Sequence, residues 1–586
     1  MLRDRIASSL AGAGSALLGV LALLALALLF EAPAVLLPEP MRPTGEVLVL
    51  LTLYVVSLPA GVVGTALRAL LGLAAAVLVL VRLDRVAFMH FMGEEPLLYD
   101  QLFMLRHLWV LAWDLWSWQM VGLVVAALFG VLFLWLIIGW LLGVARRSFG
   151  PSRAPAWIGG LALFWLAALL VSFAEPDEDA PRIRWLRPAI AANVQQSWHI
   201  HDAVRRSLQR SPYQTYASLR FARKPDVYWF FVESYGRFAT DDPQLRPRVQ
   251  KRLHRMEDHA RRAGWHTVSA FSRAPVSGGR SWLAEASVLM GSEVRYEAVF
   301  HHLVGEIEHV PNLVGVLAAH GYHTVLLAPA DRVRPGIEEV NHYGYERQVR
   351  FDDLDYFGTP YGWGIVPDQY SLERTHQEVL RHARRPLFFN FHMVSSHAPW
   401  ARVPRLVDDW RDLRVESNDA DASGTTGATD DDTEERAEED GALVIERRLN
   451  RYVDKTRRHR YLGEYTTRLG RRYGRAIDYE LALIDRYLPK IPGDAIAIVM
   501  GDHQPPFVAE GTKNFDVPVH VFARDARWLD EFRAHGFAPG LELETTATAV
   551  RHEGLFSLLV RALAGAGGVK PNELPAYRPR GAVLVK

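Results

Sequence analysis

The chain has no cysteine among its 586 residues and no net charge, with 66 Lys and Arg against 66 Asp and Glu. The first absence excludes disulfide frameworks, thiolate metal sites and cysteine nucleophiles together. The second removes the basic footprint that a nucleic-acid partner requires, so no nucleic acid is expected. Charge is also missing locally. Residues 9–29 form an apolar run of about the 20 residues a bilayer-spanning helix needs, preceded by Arg3 and Arg5. A cleaved signal peptide begins in the same way, but further apolar runs follow at 47–64, 67–83, 119–144 and 156–173. Five transmembrane helices are therefore expected over 1–174. Arg146, Arg147 and Arg153 separate the last two runs, and the positive-inside rule puts that loop and the N-terminus in the cytoplasm. With five crossings, everything after Phe173 faces the periplasm or the cell exterior. Residues 84–118, rich in aromatics such as Trp109, Trp113 and Trp116, have the composition of a segment at the membrane interface.

A basic helical connector is expected over 175–222, then a soluble domain over 223–586. Here short β-rich runs alternate with helical stretches, the signature of an α/β fold around a central, mostly parallel sheet. The runs are 227–232, 323–328, 387–391, 495–500 and 517–522, several of them apolar on both faces as buried strands are. Residues 416–442 are acidic and nearly free of large apolar groups, so a disordered insertion in a surface loop is expected there.

Ligands in open α/β sheets gather beyond the carboxyl ends of the strands, which directs attention to the polar residues that follow each run. The first run delivers Glu233, the 495–500 run delivers Asp502 and His503, and the 387–391 run leads to His397. In the segment SGGRSWLAEASVLMG, two glycines and Arg280 precede Ser281 at the start of a helical pattern. Each feature alone has a plain reading: Ser281 as a helix N-cap, Asp502 and His503 as a turn. Together, two carboxylates, an imidazole and a hydroxyl suit one divalent ion, with Mn²⁺, Mg²⁺ and Zn²⁺ all chemically allowed. A cation beside Ser281 lowers the cost of its alkoxide, and a helix N-terminus favours both that oxygen and a phosphate.

At these residues the soluble half resembles the alkaline phosphatase and sulfatase superfamily, and within it the lipoteichoic acid synthase type of phosphoglycerol transferase. The resemblance implies five membrane helices followed by an extracytoplasmic catalytic domain, with motifs in order across roughly residues 225–565. It implies Glu233, Ser281, Asp502 and His503 as ligands of one metal ion, Mn²⁺ first among the candidates, and Ser281 as the nucleophile. His397 takes the place of the family's His-x-Pro element, on the phosphate or the leaving oxygen. Arg280, beside Ser281, is read either as a phosphate contact or as an exposed helix-start residue, while Trp363 and Asp368, in YGWGIVPDQ, fall where the resemblance puts the substrate pocket. Serine replaces the usual threonine nucleophile, no arginine follows the Trp-Gly segment, and Gln-Pro-Pro follows His503. The sequence around Ser281 lacks the x-Pro-x-Arg that formylglycine sulfatases need, which excludes that chemistry. What the resemblance implies is transfer of a phosphorylated headgroup from a membrane phospholipid to an extracytoplasmic glycan or glycolipid. Phosphoethanolamine transfer, simple hydrolysis and a non-catalytic envelope scaffold are the alternatives.

Overall fold

The computed structural model describes residues 2–31, 44–56, 62–92, 94–103, 118–148, 162, 164–166, 187–206, 212–305, 310–332, 341–361, 366–400, 402–414, 455–506, 514–543, 550–566 and 573–582. Contacts divide the chain into two compact units, essentially Met1–Arg206 and Ser207–Leu584.

The first unit is helical: α1 (Leu2–Glu31), α2 (Gly45–Val56), α3 (Val62–Met92), α4 (Trp118–Ser148) and α5 (Arg187–Arg206). Among the described residues one stretch, Leu128–Ala145 in α4, is long and apolar enough to cross a membrane, and a shorter apolar stretch covers Leu17–Glu31. Leu23 and Phe30 of α1, Leu48 and Leu51 of α2, and Ile138 and Leu142 of α4 belong to one buried cluster. Buried Glu31 is met at 3.2 Å by buried Arg82 of α3, the partner that a carboxylate out of water requires. The break between the second and third helices falls earlier than the sequence suggested. As described, α2 runs to Val56 and α3 from Val62, so Gly64 lies inside α3, and residues 57–61 lie outside the described residues. Most of the expected fifth span at 156–173 and all of the acidic 416–442 stretch lie outside the described residues.

The second unit is built on nine strands: β1 (Asp226–Val232), β2 (His266–Arg273), β3 (His323–Ala328), β4 (Arg347–Arg350), β5 (Leu387–Met393), β6 (Ala495–Gly501), β7 (Asp516–Ala523), β8 (Ala538–Pro539) and β9 (Val550–Arg551). The order is β4-β3-β5-β1-β6-β7-β2-β8, with β9 beside β2. From β4 to β6 every pairing is parallel, and β7 then runs antiparallel to both β6 and β2. Alternation along β1 explains its unbroken apolar run. Val227, Trp229 and Phe231 enter the core on one face of the sheet, while Tyr228, Phe230 and Val232 enter the core on the other. Each such aromatic stabilises the fold by about 1.5–3 kcal/mol through burial. Four helices that matter below are α6 (Arg246–Arg262), α7 (Ser281–Met290), α8 (Asp368–Glu378) and α9 (Lys455–Tyr487). Strand β2 escaped the sequence reading because it carries hydroxyls. Buried Ser269 and Ser272 satisfy theirs on His520 Nδ1 at 2.7 Å and His552 Nδ1 at 2.8 Å, which gives both histidines structural work.

The register sets up the chemistry. Val232 stands opposite Met393 on one side and Gly501 on the other. The residues that follow these three positions therefore emerge together at the carboxyl edge of the parallel sheet, where ligands bind in such folds.

Candidate active site

Two strand ends and one helix start converge. Glu233 leaves β1, Asp502 and His503 leave β6, and Ser281 opens α7. Ser281 Oγ donates to Glu233 Oε2 at 2.8 Å and lies 3.2 Å from His503 Nε2. His503 Nε2 is 3.5 Å from both Glu233 Oε1 and Asp502 Oδ2. Ligating atoms of Glu233, Asp502 and His503 all lie within 4.8 Å of one another, and these three side chains are buried while Ser281 stays half-open.

Backbone geometry fixes these positions. Ser234, immediately after Glu233, and Arg280, immediately before Ser281, both have left-handed φ, 59° and 62°. For residues with a side chain this costs of order 1–3 kcal/mol each, and such strain gathers at functional sites. Ser234 repays part of it: its N–H donates to Asp502 Oδ1 at 2.7 Å and its hydroxyl to Glu233 Oε1 at 2.7 Å. Gly501 is required for a different reason. A Cβ there would meet the carbonyl oxygen of Tyr235 at 2.0 Å, so only glycine lets β6 come this close to the turn after β1.

The histidine is aimed by Gln504, the residue that broke the family pattern. His503 Nδ1 lies 2.8 Å from the Gln504 carbonyl, which can only accept, so Nδ1 carries the proton and Nε2 presents its lone pair to the site. The same carbonyl accepts from Gly278 N–H at 3.1 Å, tying the turn of Asp502 and His503 to the loop ahead of Ser281. The Gln504 amide donates to the Asp516 carbonyl and its oxygen accepts from Phe238 N–H, so the turn is held from three sides.

Electrostatics identify what the pocket lacks. Burial and the Glu233 charge push Asp502 up, to about 7. Burial also acts on Glu233, but His503, His397 and two hydroxyl donors outweigh it and hold that carboxyl low. His503 is opposed by burial and held up by Asp502 and Glu233. Two crowded carboxylates that force one of their number toward neutrality make a ready seat for a cation. The donor set fits one divalent ion, held by Glu233, Asp502, His503 and the Ser281 hydroxyl. Binding must displace the proton held by Asp502 and compete with protonation of His503 Nε2, so affinity should fall as pH falls through about 7. Titration calorimetry with Mn²⁺ is expected to show at least about tenfold weaker binding at pH 6 than at pH 8. A flat profile would mean that these side chains do not take the ion.

The remaining sequence-derived candidates sort by position. His397 is half-buried on the loop after β5, and its Nδ1 donates to the Ala398 carbonyl at 2.6 Å. Its charge is felt at Glu233. Arg280 is buried and its charge is felt at His503, which places it at the pocket. Trp363 lies outside the described residues. Asp368 is fully buried and holds backbone: Oδ2 accepts from Val394 N–H at 2.7 Å and Ser395 N–H at 2.8 Å, beneath the loop that carries His397. It supports the loop that carries His397. Sequence reasoning missed Ser234, Gln504 and Tyr473, whose hydroxyl donates to the Ser234 carbonyl at 2.8 Å. Only Ser234 carried a signal, as the residue after a strand-end carboxylate.

The ordered motifs thus meet in one buried pocket at the carboxyl edge of a mixed sheet. No protein-family model matches the chain, and no curated protein matches it either. Solved structures do. The chain is similar to an integral-membrane lipooligosaccharide phosphoethanolamine transferase from Neisseria meningitidis at 14% identity, over 97% of this chain and 98% of that one, with a TM-score of 0.44. A lipoteichoic acid synthase from Listeria monocytogenes is similar at 11% identity, over 65% of this chain and 81% of that one, with a TM-score of 0.34. A phosphoglycerol transferase from Streptococcus pyogenes, solved with sn-glycerol-1-phosphate, is similar at 11% identity over 65% and 89%, with a TM-score of 0.33. The chemistry below rests on the side chains of this chain.

Proposed function

We propose that this protein transfers a phosphorylated lipid headgroup, phosphoglycerol from phosphatidylglycerol, to an extracytoplasmic glycan or glycolipid through a covalent phospho-Ser281 intermediate. The observation that carries the reading is the Ser281 hydroxyl, half-open at the start of α7 and hydrogen-bonded between Glu233 and His503. When bound, a divalent ion, Mn²⁺ in this reading, supplies charge that favours the serine alkoxide and the phosphoryl oxygens. As Oγ forms its bond to phosphorus its proton passes to Glu233 Oε2, 2.8 Å away, and it returns to Oγ when the phosphoserine is cleaved. The bond from phosphorus to the diacylglycerol oxygen breaks, the electron pair leaves with that oxygen, and His397 gives it a proton. The N-terminal end of α7 and Arg280 face the phosphate charge. An acceptor hydroxyl, losing its proton to His397, then attacks the phosphoserine from the vacated side and frees Ser281. Glycan or glycolipid acceptors require the pocket to face away from the cytoplasm. The reading therefore keeps a five-helix membrane domain over 1–174, a connector over 175–222 and a catalytic domain over 223–586 in the plasma membrane of a bacterium.

The test is headgroup release in liposomes. With Mn²⁺ present, the full-length protein is expected to form diacylglycerol from headgroup-labelled phosphatidylglycerol. Release from phosphatidylethanolamine alone would move the assignment to phosphoethanolamine transfer, and release from neither would sink the proposal.

A further inference from the structure

Behind the pocket lies a pair of buried acids that the chemistry above does not use. Asp368 opens α8 and Glu480 sits inside α9, both fully buried and side by side. Asp368 Oδ1 and both Glu480 oxygens find no hydrogen-bond donor among the described residues. No lysine or arginine among those residues pairs with either acid. The titratable neighbours are few: Tyr479 on α9, whose hydroxyl accepts from Gln369 N–H at 3.1 Å, and His397 on the loop above. The loop otherwise offers Ser395 and Ser396, which carry no charge. Two carboxylates face to face in a dry interior, with three of their four oxygens lacking a donor, cannot both be ionised without repelling each other. One proton held between them removes both faults, as in other buried carboxyl pairs.

What the pair holds is the loop of His397. Asp368 Oδ2 takes the N–H groups of Val394 and Ser395, and Asp368 N–H in turn donates to Ser395 Oγ at 3.0 Å. Glu480 lies against Ser396, whose hydroxyl donates to the Glu233 carbonyl at 2.7 Å. Trp400 closes the loop by donating to the Ser396 carbonyl at 2.6 Å. Chain order along the loop is thus α8, α9, metal ligand, core.

We propose that Asp368 and Glu480 share one proton and act as positioning residues, clamping the 394–397 loop between two helices so that His397 and Glu233 keep their relation. The role in turnover rests on the phosphotransferase reading, whereas the shared proton does not. Burial pushes Asp368 up to about 6, against hydrogen bonds that lower it, and burial together with the Asp368 charge lifts Glu480 well above the carboxylate range. A raised acid stabilises the fold fully below its unfolded value, and that contribution is lost as pH rises through the folded one.

Three measurements on the full-length protein in detergent test the clamp. Glu480→Gln puts a permanent N–H donor where the proton sits, so it should remove the penalty. Its unfolding midpoint, relative to wild type, is expected to rise by several degrees between pH 5 and pH 8. Glu480→Ala is expected to lower kcat about tenfold or more while Mn²⁺ affinity stays within about threefold, and Glu480→Gln to restore kcat. Unfolding curves of Glu480→Gln and wild type that run parallel across this pH range would overturn the shared proton. Wild-type kcat in Glu480→Ala would overturn the positioning role. If the wild-type protein releases no headgroup, the phosphotransferase reading fails, and the unfolding comparison still decides the proton.

Discussion

Ser281→Ala is expected to lose turnover by a factor on the order of 10⁴ or more, about 5.5 kcal/mol of barrier, with folding intact. The size follows from the role. A covalent route has no second path once its nucleophile is gone, and what remains is the binding of substrate beside an ion. Folding survives because Ser281 is half-open at the first position of α7, and Glu233 keeps the Ser234 hydroxyl as a donor. Ser281→Thr separates chemistry from shape. It keeps the hydroxyl and adds a methyl, so it is expected to retain activity within about tenfold, whereas Ser281→Ala is not. Diacylglycerol formation, with circular dichroism as the folding control, reads both variants. Undiminished headgroup release by Ser281→Ala would remove serine from the reaction.

Glu233→Ala should be the second large effect, and it is read on the ion rather than the substrate. Removing this carboxylate takes a full charge and one ligand from a set of four, so Mn²⁺ affinity is expected to drop by more than about 100-fold. Wild-type protein at a metal concentration about 100 times Kd gains about 2.7 kcal/mol of stability from binding. The variant should gain almost none, and its melting temperature should no longer respond to Mn²⁺. Asp502 gives a useful contrast, because its carboxylate also takes the N–H groups of Ser234 and His503. Asp502→Asn is expected to destabilise the turn as well as weaken the metal. A Glu233→Ala protein that purifies with a full complement of metal would place the ion elsewhere and favour the scaffold reading.

How far the sequence could be read depended on where the information resides. Strands β1 and β6 are apolar on both faces because helices cover both, and such runs are visible without a structure. Strand β2 is not, since its serines hide their hydroxyls on histidines that come from residues 520 and 552. Glu233, Asp502 and His503 were legible as polar residues at strand ends, a consequence of how parallel sheets open. Their supports were not. Gln504 acts mainly through its carbonyl, an atom every residue has, so its letter looked like a departure from the pattern. Glu480 looks like any acid in an amphipathic helix until the fold turns it inward against Asp368. Asp368 itself was singled out from a motif as a substrate contact, and the motif gave no sign that its carboxylate also holds the backbone of Val394 and Ser395. No periodicity reports such a pairing across 112 residues of chain, from 368 to 480.

The two left-handed residues that abut the ligands carry an evolutionary consequence. Glycine at 234 or 280 would adopt the same backbone angles without steric cost, so selection for heat resistance alone would drift toward it. Each such change would also delete a side chain at the pocket, a hydroxyl that steadies Glu233 or a guanidinium beside His503. The protein therefore gives up thermal tolerance to keep Ser281 and Glu233 in place, and a thermophilic descendant would have to recover that stability far from this edge of the sheet.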